Sequence, residues 1–260
     1  MATKATKAKT TAVAVNKNSS TAIVNIQDAL RKQAEANASR IEPGTGKSIR
    51  IGQDKSFTLP DGTKTRGDLQ LVVVDFVSRN EYYEGAFNKD DVSPPACFAI
   101  NPDPKGLVPS DNSPNKQADT CSGCPMNEWG SSPTGGGKAC KNTRLLAVLP
   151  PDADDETEIW TLKVSPTAIK GFDGFVASVN RTLQLPPVGV VVTVGFDESK
   201  EYSSLVFTDP QPNENVAVHF ARQDEARELL LREPDVSGYG AEPVKTTKAV
   251  RKPVTARKVR

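Results

Sequence analysis

The stretch that decides the fold is Leu69-Gln-Leu-Val-Val-Val-Asp-Phe-Val-Ser78. Val, Leu and Phe dominate it, and such side chains fit the half-buried surface of a pleated sheet. The dipeptide Asp61-Gly62 marks a turn just before it. We therefore predict a strand within the β-rich run 69–87.

Further short runs of the same kind lie on both sides of this strand, at residues 49–59, 97–100, 143–149, 158–164, 188–196 and 202–207. Ser165-Pro166 suits the start of a helix, because proline is favoured at the first helical position. A C-terminal helix is predicted over residues 213–234. Strands with one helix placed late among them favour a mainly β fold of the α+β class. We predict an OB-like β-barrel over residues 44–212. A β-sandwich stays open as the alternative.

Charge is distributed unevenly along the 260 residues, although the net charge is only +1. Residues 1–20 carry four Lys and no acid, and residues 241–260 carry seven Lys or Arg against one Glu. The intervening residues 21–240 carry 22 basic and 31 acidic side chains. We expect disordered basic arms at 1–20 and 235–260, and an amphipathic helix at 21–43. Such arms commonly bind phosphate backbones, although a purely solubilising tail is equally compatible with this composition.

The sequence contains no segment that predicts membrane insertion. The longest uncharged apolar stretch, residues 185–196, is 12 residues long and contains two prolines, whereas a membrane-spanning helix needs about 20 residues. The N-terminal residues also lack the apolar core of a signal peptide. We expect a cytoplasmic protein.

The four cysteines, Cys97, Cys121, Cys124 and Cys140, all lie between residues 97 and 140. A C-x-x-C turn brings two thiolates to one cation, and two more complete the tetrahedral Cys₄ shell that zinc accepts. The segment 101–139 is rich in Pro, Gly, Asn and Ser, so a metal would supply stability that packing cannot. We predict a structural zinc site in an insertion at residues 97–140. Disulfides are disfavoured in a reducing cytoplasm, and a redox C-x-x-C would need a βαβ context that is absent here.

No constellation of residues predicts catalysis. His219 is the only histidine, which excludes any mechanism that needs a histidine pair, and it is expected at the surface or as a helix cap. The segment Gly135-Gly136-Gly137-Lys138 does not match a phosphate-binding loop, because Ser132 and Ala139 stand where Gly and Ser or Thr are required. We predict a protein that is not an enzyme.

Basic and aromatic residues alternate around the cysteines and at the end of the long strand. Cations that follow phosphates, combined with rings that stack on bases, are typical of single-stranded nucleic-acid binding. Tyr82 and Tyr83 are expected to point to opposite faces of a strand, and Trp129 could instead pack over the metal. The candidate nucleic-acid contacts are Arg79, Tyr82, Tyr83, Phe98, Lys116, Trp129, Lys138, Lys141 and Arg144.

Three segments resemble bacteriophage single-stranded DNA-binding proteins. They are Pro95-Ala-Cys97-Phe-Ala-Ile; Cys121-Ser-Gly-Cys-Pro-Met-Asn-Glu-Trp-Gly-Ser131 with Gly137-Lys-Ala-Cys140-Lys; and Leu185-Pro-Pro-Val-Gly-Val-Val-Val-Thr-Val-Gly-Phe-Asp197 with Leu205-Val-Phe207. The resemblance covers residues from about 70 to 210 and implies an OB-like barrel with a zinc-bearing insertion. Many such proteins carry an acidic C-terminal tail, whereas the tail here is basic.

These observations predict a non-enzymatic protein that binds single-stranded DNA during phage replication, recombination or repair. Two alternatives stay open. One is a zinc-stabilised interaction module that binds RNA polymerase or a replisome component through its acidic face. The other is a virion DNA-packaging protein whose basic arms touch the genome. Oligomeric state is not predicted.

Overall fold

The computed structural model describes residues 47–85, 93–133 and 135–240. The predictions for the N-terminal arm, for the helix at 21–43 and for residues 241–260 lie outside these residues. The strands are β1 Ser48–Ile51, β2 Phe57–Thr58, β3 Lys64–Thr65, β4 Leu69–Tyr82, β5 Cys97–Asn101, β6 Lys141–Leu149, β7 Trp160–Val164, β8 Val190–Phe196 and β9 Leu205–Pro212. The α-helices are α1 Ile169–Leu183, α2 Val216–Ala221 and α3 Gln223–Leu231, and short 3₁₀ helices lie at Pro104–Gly106, Pro125–Asn127 and Pro187–Gly189.

These strands form one mixed sheet in the order β3-β2-β1-β7-β6-β4-β8-β9, with β5 paired to β4. Only the β1–β7 pair is parallel among the strand pairs of the described residues. The sheet curls into a half-barrel, which confirms the prediction of a mainly β fold. None of the described helices is long and apolar enough to cross a membrane.

The 14-residue strand β4 organises this sheet. One of its edges pairs with β6, while the other edge pairs with β8 at its start and with β5 at its end. The pairing with β6 shifts register between Val73 and Asp75, so Val74 is an extra residue. Because side chains alternate between faces along a strand, a bulge of this kind exchanges the faces of all the residues that follow it.

Each face of the sheet is covered by a different helix. On the face that we call the α1 face, Leu146, Leu162 and Phe172 belong to a large apolar core that includes α1. On the opposite face, called the α3 face, Val77, Ala147 and Leu230 belong to a smaller core that includes α3. This smaller core covers only part of the α3 face.

Two helix predictions need correction at their boundaries. The helix after Ser165 begins at Ile169, because Ser165 Oγ lies 3.0 Å from Thr167 Oγ1 rather than capping the helix, and residues 165–168 form a turn. The helix predicted over 213–234 is two helices, broken at Arg222. The Arg222 guanidinium donates to the Glu225 carboxylate and to the carbonyl of Thr157.

His219 is fully buried instead of lying at the surface. Its Nε2 lies 3.2 Å from the Ala153 carbonyl and its Nδ1 lies 3.0 Å from the Asn213 amide nitrogen. A carbonyl accepts and an amide NH₂ donates, so the ring is neutral with its proton on Nε2. Burial lowers the pKa of His219, and the positive charge of Arg222 acts in the same direction, while the hydrogen bond to Ala153 opposes them.

We predict that His219 makes the fold sensitive to mild acid. The unfolded chain binds a proton at His219 near pH 6.5, whereas the folded chain binds this proton only at a lower pH. The stabilisation from the neutral ring is therefore complete above this pH and is lost as the pH falls below it, by up to about 1.4 kcal/mol per pH unit. Urea unfolding at pH 7, 6 and 5 measures this loss, and His219→Gln is expected to give a flatter profile. Parallel profiles of the two proteins would show that His219 does not titrate differently on unfolding.

Candidate nucleic-acid groove and cysteine cluster

All four cysteines border one small cavity at the end of β4. The cavity has a volume of about 10 Å³ and is also lined by Asn80, Tyr82 and Met126. Cys97 begins β5 and pairs in register with Tyr82, while Cys140 directly precedes β6, on the other side of β4. The loop 102–140 therefore crosses the end of β4 and brings Cys121 and Cys124 to the same place.

Backbone geometry fixes the middle cysteines within this loop. The Asn127 N–H donates to the Cys124 carbonyl at 2.9 Å, and the Asn127 side chain donates to the Cys121 carbonyl at 2.7 Å. The Cys140 N–H donates to the Met126 carbonyl at 2.8 Å. These bonds tie the C-x-x-C turn to the last cysteine. Among the described residues of the loop, Leu107 and Cys121 alone belong to an apolar cluster, which they form with Ala99.

All four cysteines are free and buried. Burial raises the pKa of Cys121, and the neighbouring thiols Cys97 and Cys124 raise it further. Burial and the other three thiols raise the pKa of Cys140 to about 12. These thiols are therefore close enough to repel one another as anions, and a cation placed among them would reverse that repulsion.

Zinc is the ion that this donor set fits, because it accepts four thiolates in a tetrahedron and a cavity of about 10 Å³ is the size of one small ion or water. Within residues 47–85, 93–133 and 135–240, no three His, Cys, Asp or Glu side chains are arranged as a formed metal site.

A second, larger feature is a groove of about 680 Å³ across β1, β7 and β6. It lies on the part of the α3 face that α3 leaves open. Three cations, Arg50, Lys141 and Lys163, line it. Hydroxyl groups line it as well, from Ser48, Thr143, Thr161, Ser165 and Ser203, and none of its lining residues among those described is acidic.

Strand register explains why these side chains meet. Thr143 of β6 pairs with Arg79 of β4, and Leu145 pairs with Lys163 of β7. Ser48 of β1 pairs with Thr161, and their hydroxyl oxygens lie 2.7 Å apart. Cross-strand partners share a face, so these residues lie side by side on the α3 face.

Strand β4, which lies beside the groove, carries a buried carboxylate. Glu81 is 4% exposed; its Oε1 lies 2.8 Å from Arg79 Nε, and its Oε2 accepts a hydrogen bond from Lys163 Nζ at 2.5 Å. Burial alone would raise the pKa of Glu81, but Arg79 and Lys163 outweigh burial and lower it. Although the Arg79 contact is close, Nε–H is not directed at the carboxylate, and Nε is buried without a hydrogen-bond partner in the described residues.

The aromatic residues predicted to contact nucleic acid differ in position and in exposure. Tyr82 is half-buried beside the cysteines, while Tyr83 is 39% exposed and lies on the side of Glu81. Burial and the Glu81 carboxylate raise the pKa of Tyr83 to about 12. Phe98 is 1% exposed, so its ring has no free face for a base, and the expectation that it contacts nucleic acid is corrected. Trp129 is 83% exposed and does not pack over the cysteines.

The predicted basic residues also separate by position. Arg144 lies on the α1 face, where Nη2 donates to Asp173 of α1 at 2.9 Å, so this guanidinium is used within the fold. Lys116 is exposed and paired with Asp111. Lys138 donates to the Asn127 side chain at 3.1 Å, and Lys141 Nζ donates to the Lys138 carbonyl at 3.1 Å. Of this set, Lys141 lines the groove, and Arg79 lies next to it on β4, where it pairs with the groove residue Thr143.

Arg50, Lys163 and the hydroxyl residues of the groove are absent from the sequence-based set. A signal for them exists in Lys141-x-Thr143-x-Leu145 and Thr161-x-Lys163-x-Ser165, where polar residues recur at alternate positions of two strands. Such alternation indicates a face that is not covered by the core.

Comparison with protein-family models, with curated proteins and with solved structures finds no match for this chain. The geometry alone therefore carries the functional argument.

We predict that Glu81→Gln lowers the free energy of unfolding by about 3 kcal/mol, because it removes the buried counter-charge of Arg79. The matched variant Asp111→Asn removes an exposed carboxylate from its pair with Lys116 and should cost much less, because solvent-exposed ion pairs contribute little to stability. Urea denaturation of both proteins measures the difference. Equal losses would contradict a special role for the buried carboxylate.

Proposed function

We propose that the protein is a non-enzymatic, single-stranded DNA-binding protein in which the curled sheet acts as an OB-like barrel. The observation that carries the proposal is the groove on the α3 face, where cations and hydroxyls line an open channel. Cations neutralise phosphates and release their counterions, while hydroxyls donate hydrogen bonds to phosphate oxygens. Its action in phage replication, recombination or repair stays a prediction.

Trp129 supplies the stacking group in this proposal. It lies in the cysteine loop, where the N–H of the next residue, Gly130, donates to the Gly137 carbonyl at 2.8 Å. The chain then runs from Gly137 through Lys138 and the last cysteine to Lys141 in the groove. An exposed indole on the loop that leads into the groove is a suitable platform for an unpaired base.

Zinc has a structural role in the same proposal. The four cysteines would hold it, and no coordination position of the metal would be left open for a substrate. By holding the loop across the end of β4, the metal would fix Trp129 and Lys138 relative to the groove. The small apolar cluster in this loop supports the need for such a crosslink.

We predict about one zinc per chain, measured by elemental analysis, and loss of that zinc in Cys124→Ser. Hydrogen exchange should then increase in residues 101–140 more than in β6 and β7. Met126→Leu is the matched control, because Met126 lines the same cavity with a thioether that is not part of the thiolate set. Zinc retention in the cysteine variant, or equal zinc loss in both variants, would contradict the assignment.

We predict that the double variant Arg50→Gln with Lys141→Gln weakens binding to oligo(dT). Each lost phosphate contact should reduce the slope of log affinity against log salt by about 0.7. The control is Lys170→Gln with Arg181→Gln, which removes the same charge from exposed positions of α1, the helix that packs on the other face. Salt titrations that change equally in both variants would show that the groove does not bind the strand.

Fluorescence adds a test of stacking within this experiment, since the chain has two tryptophans. Trp160 packs against the apolar core. In Trp160→Phe the remaining Trp129 should be quenched by oligo(dT), whereas in Trp129→Ala the quenching should disappear. Affinity should also fall in Trp129→Ala by an amount equivalent to about 1–3 kcal/mol. Unchanged affinity would remove Trp129 from the site.

The two alternative functions stay predictions. A protein partner such as RNA polymerase or a replisome component should survive nuclease treatment of a pull-down, and a packaging protein should be present in purified virions. Neither outcome is expected if strand binding at the groove is the activity.

A further inference from the structure

The ion pair between Glu81 and Lys163 reaches across three strands of the sheet. Glu81 lies on β4 and Lys163 lies on β7, and β6 runs between them. Neighbouring strands are about 4.8 Å apart, so the backbones of the two residues are separated by roughly 10 Å or more. The Lys163 Nζ nevertheless donates to Glu81 Oε2 at 2.5 Å. The Lys163 side chain is therefore extended across β6 towards β4.

This course brings the ammonium of Lys163 to the end of the groove where β6 begins. Glu81 pairs in register with Lys141, the first residue of β6, so an ammonium in contact with the Glu81 carboxylate lies beside the start of that strand. The backbone of Lys163 pairs farther along β6, with Leu145. Two lysines that line the groove from different strands therefore come to the same end of it.

The carboxylate that holds Lys163 is itself fixed. Glu81 is buried, and its other oxygen, Oε1, lies 2.8 Å from Nε of Arg79, whose side chain is largely buried as well. Lys163, in contrast, is half-exposed. An ammonium has three donors, so the hydrogen bond to Glu81 leaves two of them for a ligand on the exposed side.

An anchored lysine binds a phosphate at a lower entropic cost than a free lysine. The lysine side chain has several rotatable bonds and loses much of its conformational freedom when a ligand fixes it. For Lys163, the contact with Glu81 imposes this order before any ligand is bound. The folded protein therefore presents the ammonium in the groove in advance.

We propose that Glu81 is a positioning residue for DNA binding, which holds the Lys163 ammonium in the groove, next to Lys141, where a phosphate of the strand is bound. The inference rests on the proposed function, because it takes single-stranded DNA as the occupant of the groove. It adds that a buried negative charge strengthens the binding of a polyanion. Coulomb interaction alone predicts the opposite, since a carboxylate repels a phosphate.

Substitution of Glu81 separates these two effects. Glu81→Gln should weaken binding of labelled oligo(dT) by about fivefold, because Lys163 is released and has to be ordered by the ligand. The matched control is Asp173→Asn, which also removes a carboxylate from an ion pair, with Arg144 on the α1 face, and should leave the affinity unchanged. Fluorescence anisotropy at fixed salt measures both. Unchanged or tighter binding by Glu81→Gln, or an equal loss in both variants, would overturn the inference.

A double-mutant cycle shows whether Glu81 acts through Lys163. Lys163→Gln should weaken binding by about tenfold, and adding Glu81→Gln to it should change the affinity by less than about twofold, because the group that Glu81 positions is gone. An effect of Glu81 that is transmitted through Arg79, or through a loosened sheet, would persist in the Lys163→Gln background. Equal losses from Glu81→Gln in both backgrounds would contradict the positioning role.

A comparison with Arg50 tests the anchoring without any change at Glu81, and so does not depend on the folding of Glu81→Gln. Arg50 lines the same groove and is exposed, so its guanidinium has to be ordered when the strand binds. Lys163→Gln should therefore lower the affinity about threefold more than Arg50→Gln does. Equal losses, or a larger loss in Arg50→Gln, would show that Lys163 is not anchored in advance.

Failure of the proposed function gives a different result. In that case oligo(dT) fails to bind, or its binding is unaffected by Arg50→Gln with Lys141→Gln, and the inference falls with it. Binding that depends on these two cations but is not weakened by Glu81→Gln contradicts only the role assigned to Glu81.

Discussion

The extra residue Val74 in strand β4 is the constraint on which the rest of the structure depends. Before it, odd-numbered side chains such as Leu71 enter the core under α1, and after it even-numbered ones such as Phe76 do. Arg79 and Glu81 are thereby placed on the α3 face, while Tyr82 is placed beside the cysteines. In a strand without this extra residue, the side chains of Arg79 and Glu81 would point into the α1 core, where apolar surroundings penalise unpaired charge.

The same strand connects the two parts of the candidate site. Its end lies between β5 and β6, so the loop that joins them must cross it, and all four cysteines meet there. The loop then enters β6 at Lys141, the first residue of the groove. A metal crosslink at the cysteines and a cationic channel on the sheet are therefore neighbours along the chain, although the cavity and the groove are separate.

The sequence predicts strands well where apolar runs are long, as in β4, β6 and β8, and it identifies the cysteines as one cluster. It does not show that the ring of Phe98 is buried or that Arg144 pairs with Asp173 on the α1 face, because composition shows that rings and cations are present but not which face they occupy. That choice depends on cross-strand register and on the bulge, which arise from pairing between residues far apart in sequence. The prediction that His219 lies at the surface is wrong for a related reason. Its hydrogen-bond partners, Asn213 and Ala153, become neighbours only in the folded chain.

Lysine footprinting tests most directly whether the open part of the α3 face holds the strand. The protein is treated with an amine-modifying reagent with and without saturating oligo(dT), and modification is located by mass spectrometry. Binding in the groove predicts protection of Lys141 and Lys163, with Lys170 on α1 modified equally in both samples. Protection of Lys170 with full modification of both groove lysines would contradict the account.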